Sequence, residues 1–211
     1  MYLHKLILNS RHPQVRRDLS SRYEMHRTLV GALAAEPDEP PPERYLWRLE
    51  TSKEGVPVLL VQTPEPADWS RLQRLHRAHG SSGSYCETVI ANKALKLDGV
   101  ANGASLAFRL HACPTRMVDG KRRGLLSEED QLGWLARVSE ENGFRVVQCE
   151  RARGYLDHPR KGDGTVVSMP VAEFNGSLGV VDAQRLESSV RGGLGRGKAF
   201  GLGLLSLARL H

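Results

Sequence analysis

The sequence predicts an α+β fold built as two consecutive halves, each running strand, helix, strand, strand, helix, strand. Three observations carry that reading. The hydrophobic period switches between the strand value of 2 and the helix value of 3.6 in the same order in both halves. Gly-, Pro- and Ser-rich punctuation falls between the periodic segments. The chain, 211 residues with 40% hydrophobic and 26% charged side chains, is long enough for two domains of about 100 residues and too apolar for wholesale disorder.

The first half opens on YLHKLIL (2–8), where Leu3, Lys5 and Ile7 alternate with Tyr2, His4, Leu6 and Leu8, a strand pattern. From about Pro13 to Leu33 the apolar spacing is helical, with Met25, Leu29, Ala32 and Leu33 gathered on one side. EPDEPPPE (36–43) cannot continue a helix and reads as an exposed loop. YLWRLE (45–50) and VPVLLVQT (56–63) are strand-like and joined by the turn SKEG, and PADWSRLQRLH (66–76) returns to helical spacing through Trp69, Leu72 and Leu75. RAHGSSGSY (77–85) has a linker's composition. A short apolar stretch at 88–97 completes the half as its weakest strand.

The second half repeats the order. ASLAFRLHAC (104–113) is a strand. LSEEDQLGWLARVSEENGF (126–144) is a helix with Ser127 as N-cap, acids in its first turn and Asn142-Gly143 as its stop. FRVVQCERAR (144–153) and TVVSMPVAEF (165–174) read as strands, with SLGVVD (177–182) extending the sheet, AQRLESSVRGG (183–193) as a short helix and 199–210 as a closing strand. The result is two tandem ferredoxin-like (RRM-like) βαββαβ domains, residues 1–90 and 91–211.

Composition narrows the function. A net charge of +6, with a pI near 9.5, suits a polyanionic partner. Cys86, Cys113 and Cys149 form neither a CxxC pair nor a zinc spacing, so they read as three reduced thiols. Lys5 interrupts the N-terminal apolar run, and no run reaches the roughly 18–20 residues of a membrane span. The expectation is a cytoplasmic protein with no membrane partner. Trp47, Trp69 and Trp134 fall on apolar faces and read as core, and His76 and His79, three apart at a helix end, as a solvated pair.

Two segments carry chemistry. Tyr23, His26 and Arg27 lie together on a face of the first helix beside its apolar stripe, placing a phenol, a titratable ring and a fixed cation on one surface. RGGLGRGKAFGLGLLSL (191–207) nearly matches a nucleotide-binding loop from Gly192 to Lys198. The next residue, Ala199, lacks the hydroxyl that would hold magnesium, and 13 residues after Lys198 cannot build a nucleotide-binding domain. Glycine amides with Arg196 and Lys198 instead suit a nucleic-acid backbone.

The combination of RRDLSSRYEMHRTL (16–29), YLWRLE (45–50), LAFRLHACPTR (106–116) and GLGRGKAFGLGLLSL (193–207) resembles the CasE family, the CRISPR RNA-processing endoribonucleases of type I-E systems, over essentially the whole chain. The resemblance implies two ferredoxin-like domains and metal-independent cleavage of precursor CRISPR RNA at the 3′ base of the repeat hairpin. A ribose 2′-OH attacks the adjacent phosphate, leaving 2′,3′-cyclic phosphate and 5′-OH ends. The enzyme would then remain on the mature crRNA as a subunit of Cascade. No cofactor or metal is implied, and the sequence offers no carboxylate cluster for one.

The family's catalytic Tyr and His map onto Tyr23 and His26, with the division of acid and base between them left open. His26, with an ordinary pKa of about 6.5, suits proton transfer, and Tyr23, near 10, is easier to justify as a donor or positioning group. Arg27 is a candidate for phosphate stabilisation and Arg22 for backbone contact. Arg151, Arg153, Arg160 and Lys161, in a basic connection between two strands, would grip the repeat stem together with Arg196 and Lys198. Aromatics are only 6%, and no strand carries the stacked-aromatic signature of an RNA-recognition sheet, so binding would rest on charge and shape. Two other readings stay open: a non-cleaving RNA-binding subunit of the same fold, and a nucleotide-dependent enzyme using 192–199.

Overall fold

The computed structural model describes residues 1–34, 44–72, 83–95, 97, 99–160 and 162–210. They form two compact units, Met1–Leu95 with Pro159–Gly164 and Ala199–Gly201, and Lys96–His158 with Thr165–Lys198 and Leu202–His211.

In the first unit β1 (Tyr2–Leu8), α1 (Pro13–Ser20), α2 (Arg22–Leu33), β2 (Leu46–Thr51), β3 (Pro57–Thr63) and β4 (Cys86–Ala94) follow in order. The strands make an antiparallel sheet in the order β2-β3-β1-β4. Along β1 the alternation does what the sequence predicts: His4, Leu6 and Leu8 are buried and Lys5 is exposed. Met25, Leu29 and Ala32 of α2 share a core with Leu6, Leu8, Trp47, Leu59, Val61 and Trp69.

The continuous helix expected over 13–33 is two helices. Ser21 is extended (φ −148°, ψ 118°), its side chain caps α2 by accepting from Glu24 N–H, and its own N–H donates to the Asp18 carbonyl. Consecutive serines offer the backbone this alternative to helical bonding. Under α1, buried Asp18 accepts from Tyr85 Oη at 2.7 Å and from Gln14 Nε2 at 2.8 Å. Burial raises its pKa while these bonds oppose the rise. Residues 70–72 are helical and Trp69 and Leu72 are buried. The Pro-rich loop at 36–43 and the pair His76 and His79 lie outside the described residues.

The second unit comprises β5 (Ser105–Ala112), β6 (Thr115–Val118), β7 (Lys121–Gly124), α3 (Glu128–Glu141), β8 (Phe144–Asp157), β9 (Met169–Val180), α4 (Ala183–Gly192) and β10 (Leu205–Arg209). Its main sheet runs β10-β5-β9-β8, again antiparallel. Both units are ferredoxin-like. Ser127 caps α3 as predicted, accepting from Asp130 N–H, and Gly143 (φ 79°) ends it. Trp134 stacks on Phe174 in the core.

Three expectations change here. The strands predicted at 165–174 and 177–182 are one strand beginning at Met169: Asn175-Gly176 signals a turn, but both residues pair on each side, with β5 and with β8. The closing strand is only Leu205–Arg209, because Lys198–Phe200 forms a 3₁₀ turn and Gly201 and Gly203 hold φ of 72° and 91°. Residues 115–124, where the periodicity predicts no strand, form the hairpin β6–β7. The three cysteines carry no disulfide, and Cys86 and Cys113 are buried. Among the described residues no helix is long and apolar enough to cross a membrane.

His4 ties stability to pH. Thr63 Oγ1 donates to the Glu65 carbonyl and therefore accepts from His4 Nε2–H, at 2.8 Å, which fixes the neutral tautomer. Burial pushes the His4 pKa down to about 4. Between that value and the unfolded 6.5 the unfolded chain binds the extra proton, so stability is complete above pH 6.5 and is lost as pH falls toward 4. The expected loss is at most about 3 kcal/mol. Urea denaturation from pH 8 to pH 4 should show this decline, and His4→Gln should flatten it; an equally steep decline in the variant would contradict the assignment.

Candidate functional site

Helix α2 presents its site on the flank of its buried stripe. Met25, Leu29 and Ala32 face the core, Tyr23 and His26 are half-buried, and Arg27 is exposed. Tyr45, just before β2, places its phenolic oxygen 2.8 Å from His26 Nδ1, with the two rings nearly parallel at 25° and 6.2 Å between centroids. Burial lowers the His26 pKa below its ordinary value and pushes the Tyr45 phenol far up, so that neutral forms are favoured at both. His26 Nε2 has no hydrogen-bond partner among the described residues. Sequence reading missed Tyr45, because nothing in the alternation of YLWRLE marks its first residue as a partner for a helix 19 positions earlier.

In the loop after β8, Gly162 lies beside Tyr23. A Cβ placed on Gly162 would lie 3.0 Å from the Tyr23 oxygen. Arg160 of this loop is exposed; Lys161 lies outside the described residues. Arg27 pairs with Glu24 at 3.2 Å, and Glu24 also pairs with Arg17 at 2.6 Å. Arg22 Nη1 donates to the Phe200 carbonyl at 2.9 Å, and Trp47 Nε1 to the Ala199 carbonyl at 3.3 Å. Gly201 completes this arrangement: a Cβ there would sit 2.6 Å from the Trp47 ring. The first unit thus gathers Tyr23, His26, Arg22, Arg27 and Arg160. Chemically, it offers an imidazole with one open nitrogen and a phenol three residues away, a pair able to move protons.

The second unit holds the other cations. Arg151 and Arg153 belong to strand β8, as the strand reading of 144–153 expects, and pairing with β9 carries β8 on to Asp157, into what the sequence reads as the basic connection. Arg151 donates to Glu128 at 2.9 Å, and Arg153 is exposed with its guanidinium over the Tyr155 ring. Arg196 is exposed and Lys198 half-buried. In the Gly-rich segment, the amides of Gly193, Leu194, Leu202 and Gly203 already donate to protein carbonyls, so those glycines serve chain geometry. The exposed hairpin β6–β7 carries Arg116, Lys121, Arg122 and Arg123 around the turn Asp119-Gly120, both at positive φ. The Asp-Gly pair was its signal in the sequence.

Known proteins share this architecture. A family model described as "CRISPR associated protein" matches residues 1–209. The CRISPR-associated endoribonuclease Cse3 of Thermus thermophilus is 39% identical, over 99% of this chain and 100% of that protein. The CRISPR system Cascade subunit CasE of Escherichia coli K12 is 29% identical, over 100% of both chains. The solved structure of Thermus thermophilus Cse3 bound to an RNA representing a pre-cleavage complex superposes with a TM-score of 0.84 at 36% identity, covering 98% of each chain. Matched along its length in sequence and in fold, the chain belongs to the CasE/Cse3 family of CRISPR-associated proteins.

Proposed function

We propose that this protein is a metal-independent endoribonuclease that binds the CRISPR repeat hairpin and cuts precursor CRISPR RNA at the 3′ base of the stem. The observation that carries the reading is the Tyr23–His26 face of α2, with one imidazole nitrogen engaged by Tyr45 and the other without a hydrogen-bond partner among the described residues. The relative at 39% identity, an endoribonuclease by name, supports the reaction class. Cse3 bound to 19 nt RNA, at a TM-score of 0.83, supports RNA as the substrate.

In this reading His26 takes the proton of the 2′-hydroxyl, since burial disfavours the imidazolium and leaves the ring neutral. The O2′–P bond forms as the P–O5′ bond breaks, and Tyr23 gives a proton to the departing O5′ and regains one from water. The products are a 2′,3′-cyclic phosphate and a 5′-hydroxyl. No water is added to the phosphate and no redox partner enters, so the proton balance closes with His26 returning its proton to solvent. Arg27 and Arg160, both exposed, are the cations offered here for the phosphate. Arg22, Lys161, Arg151, Arg153, Arg196 and Lys198, joined by Arg116, Lys121, Arg122 and Arg123 of the β6–β7 hairpin, would bind the stem. The cut crRNA stays on the protein, which joins other subunits in Cascade in the cytoplasm, in keeping with the CasE relative, a Cascade subunit by name.

Incubation in EDTA with an end-labelled repeat hairpin is expected to give one cut, with a cyclic phosphate end. His26→Ala should bind equally well and cut at least about 100-fold more slowly. Tight binding without a cut in the wild type would leave a non-cleaving RNA-binding subunit. Arg196→Ala is expected to weaken binding and to make the dependence of log Kd on log salt shallower by about 0.7–0.9, one phosphate contact. Arg137→Ala, which removes the ion pair to Glu141 on α3, should leave the slope unchanged. An unaltered slope for Arg196→Ala would count against its touching phosphate.

A further inference from the structure

His26 must present one nitrogen to the RNA in a fixed protonation state, and the other nitrogen decides which state that is. The atom beside Nδ1 is the oxygen of Tyr45 at 2.8 Å. We propose that Tyr45 is a positioning residue for the cleavage reaction: its phenolic oxygen accepts a hydrogen bond from Nδ1–H of His26, holds the ring, and leaves the lone pair on Nε2 to receive the proton of the 2′-hydroxyl.

This rests on the endoribonuclease reading for its consequence, though not for its geometry. Beside His26 in sequence on α2 stand Arg22, Tyr23, Glu24 and Arg27, Tyr45 meets its ring from ahead of β2, and Gly162, whose loop also carries Arg160 and Asp163, lies against Tyr23. Glu24 is held by Arg17 and Arg27. Tyr45 is the one group within hydrogen-bond reach of the ring among the described residues. A carboxylate in its place would add a negative charge and strengthen the base; a phenol orients the ring without one. The two ring planes lie within 25° of each other with centroids 6.2 Å apart, so the rings meet edge to edge through the hydrogen bond. Burial keeps the Tyr45 phenol protonated, so its oxygen is a neutral acceptor across the working pH range. The bond strengthens when Nδ1–H belongs to the imidazolium, which stabilises the state that follows proton uptake.

Tyr45→Phe keeps the ring and removes only the oxygen, so the fold should survive. Nitrogen-15 NMR of the full chain, with His26 assigned by loss of its signals in His26→Gln, reads the tautomer directly. The wild type is expected to carry the proton on Nδ1. Tyr45→Phe should move it toward Nε2, the preferred site of a free imidazole, and lower the His26 pKa by about half a unit or more. Single-turnover cleavage at saturating repeat hairpin should slow about 10-fold, with Kd unchanged. Identical tautomer and pKa in the two proteins would overturn the proposal, as would a wild-type Nε2–H tautomer. If neither protein cuts RNA, the endoribonuclease reading fails, and the tautomer comparison still decides whether Tyr45 sets the state of His26.

Discussion

Helix α2 can bury its apolar face in one way only, and the site follows from it. Met25, Leu29 and Ala32 are each at most 4% exposed, in a core shared with β1, β2 and β3. Burying three such side chains is worth several kcal/mol, far more than any contact made by the polar flank. With those residues inside, the helical repeat leaves Tyr23 and His26 half in and half out. That position removes enough water from His26 to disfavour its charge and keeps part of the ring accessible. Ser21 sets where this helix begins, and with it the turn on which Tyr23 stands.

A second layer holds the first. The Trp47 indole belongs to the same core, donates to the Ala199 carbonyl and lies against Gly201, where only a residue without Cβ fits. Arg22 donates to the next carbonyl along, Phe200. The glycine-rich segment is therefore built to approach closely: its left-handed glycines and its committed amides answer to packing, and its cations to whatever lies outside. The charges divide in the same way. Arg22 and Arg151 are half-buried on protein acceptors, while Arg153, Arg160, Arg196 and the β6–β7 hairpin are exposed, the hairpin's Arg116 also pairing with Asp130.

Much of this was legible in the sequence because the signals were local. The alternation of β1, the cap and stop of α3 and the apolar stripe of α2 each depend on residues within one element, and Tyr23 and His26 share a face through spacing alone. What escaped depended on partners far along the chain. Asn175-Gly176 signals a turn, yet strands on both sides impose pairing. Residues 154–157 look like part of a turn-rich connection until β9 draws β8 out to Asp157. Tyr45 looks like a strand aromatic until folding sets its oxygen on His26. The break at Ser21 and the β6–β7 hairpin did have local signals, paired serines and Asp-Gly, that the broader periodicity of their surroundings concealed.

The central claim is that side chains of this protein activate the RNA's own 2′-hydroxyl. The most direct test is a repeat hairpin carrying a single 2′-deoxynucleotide immediately 5′ of the mapped cut, assayed in EDTA beside the all-ribose hairpin. The account predicts unchanged binding and no cleavage at that phosphate. Cleavage of the deoxy substrate at the same position would mean that the nucleophile comes from elsewhere, and would contradict it.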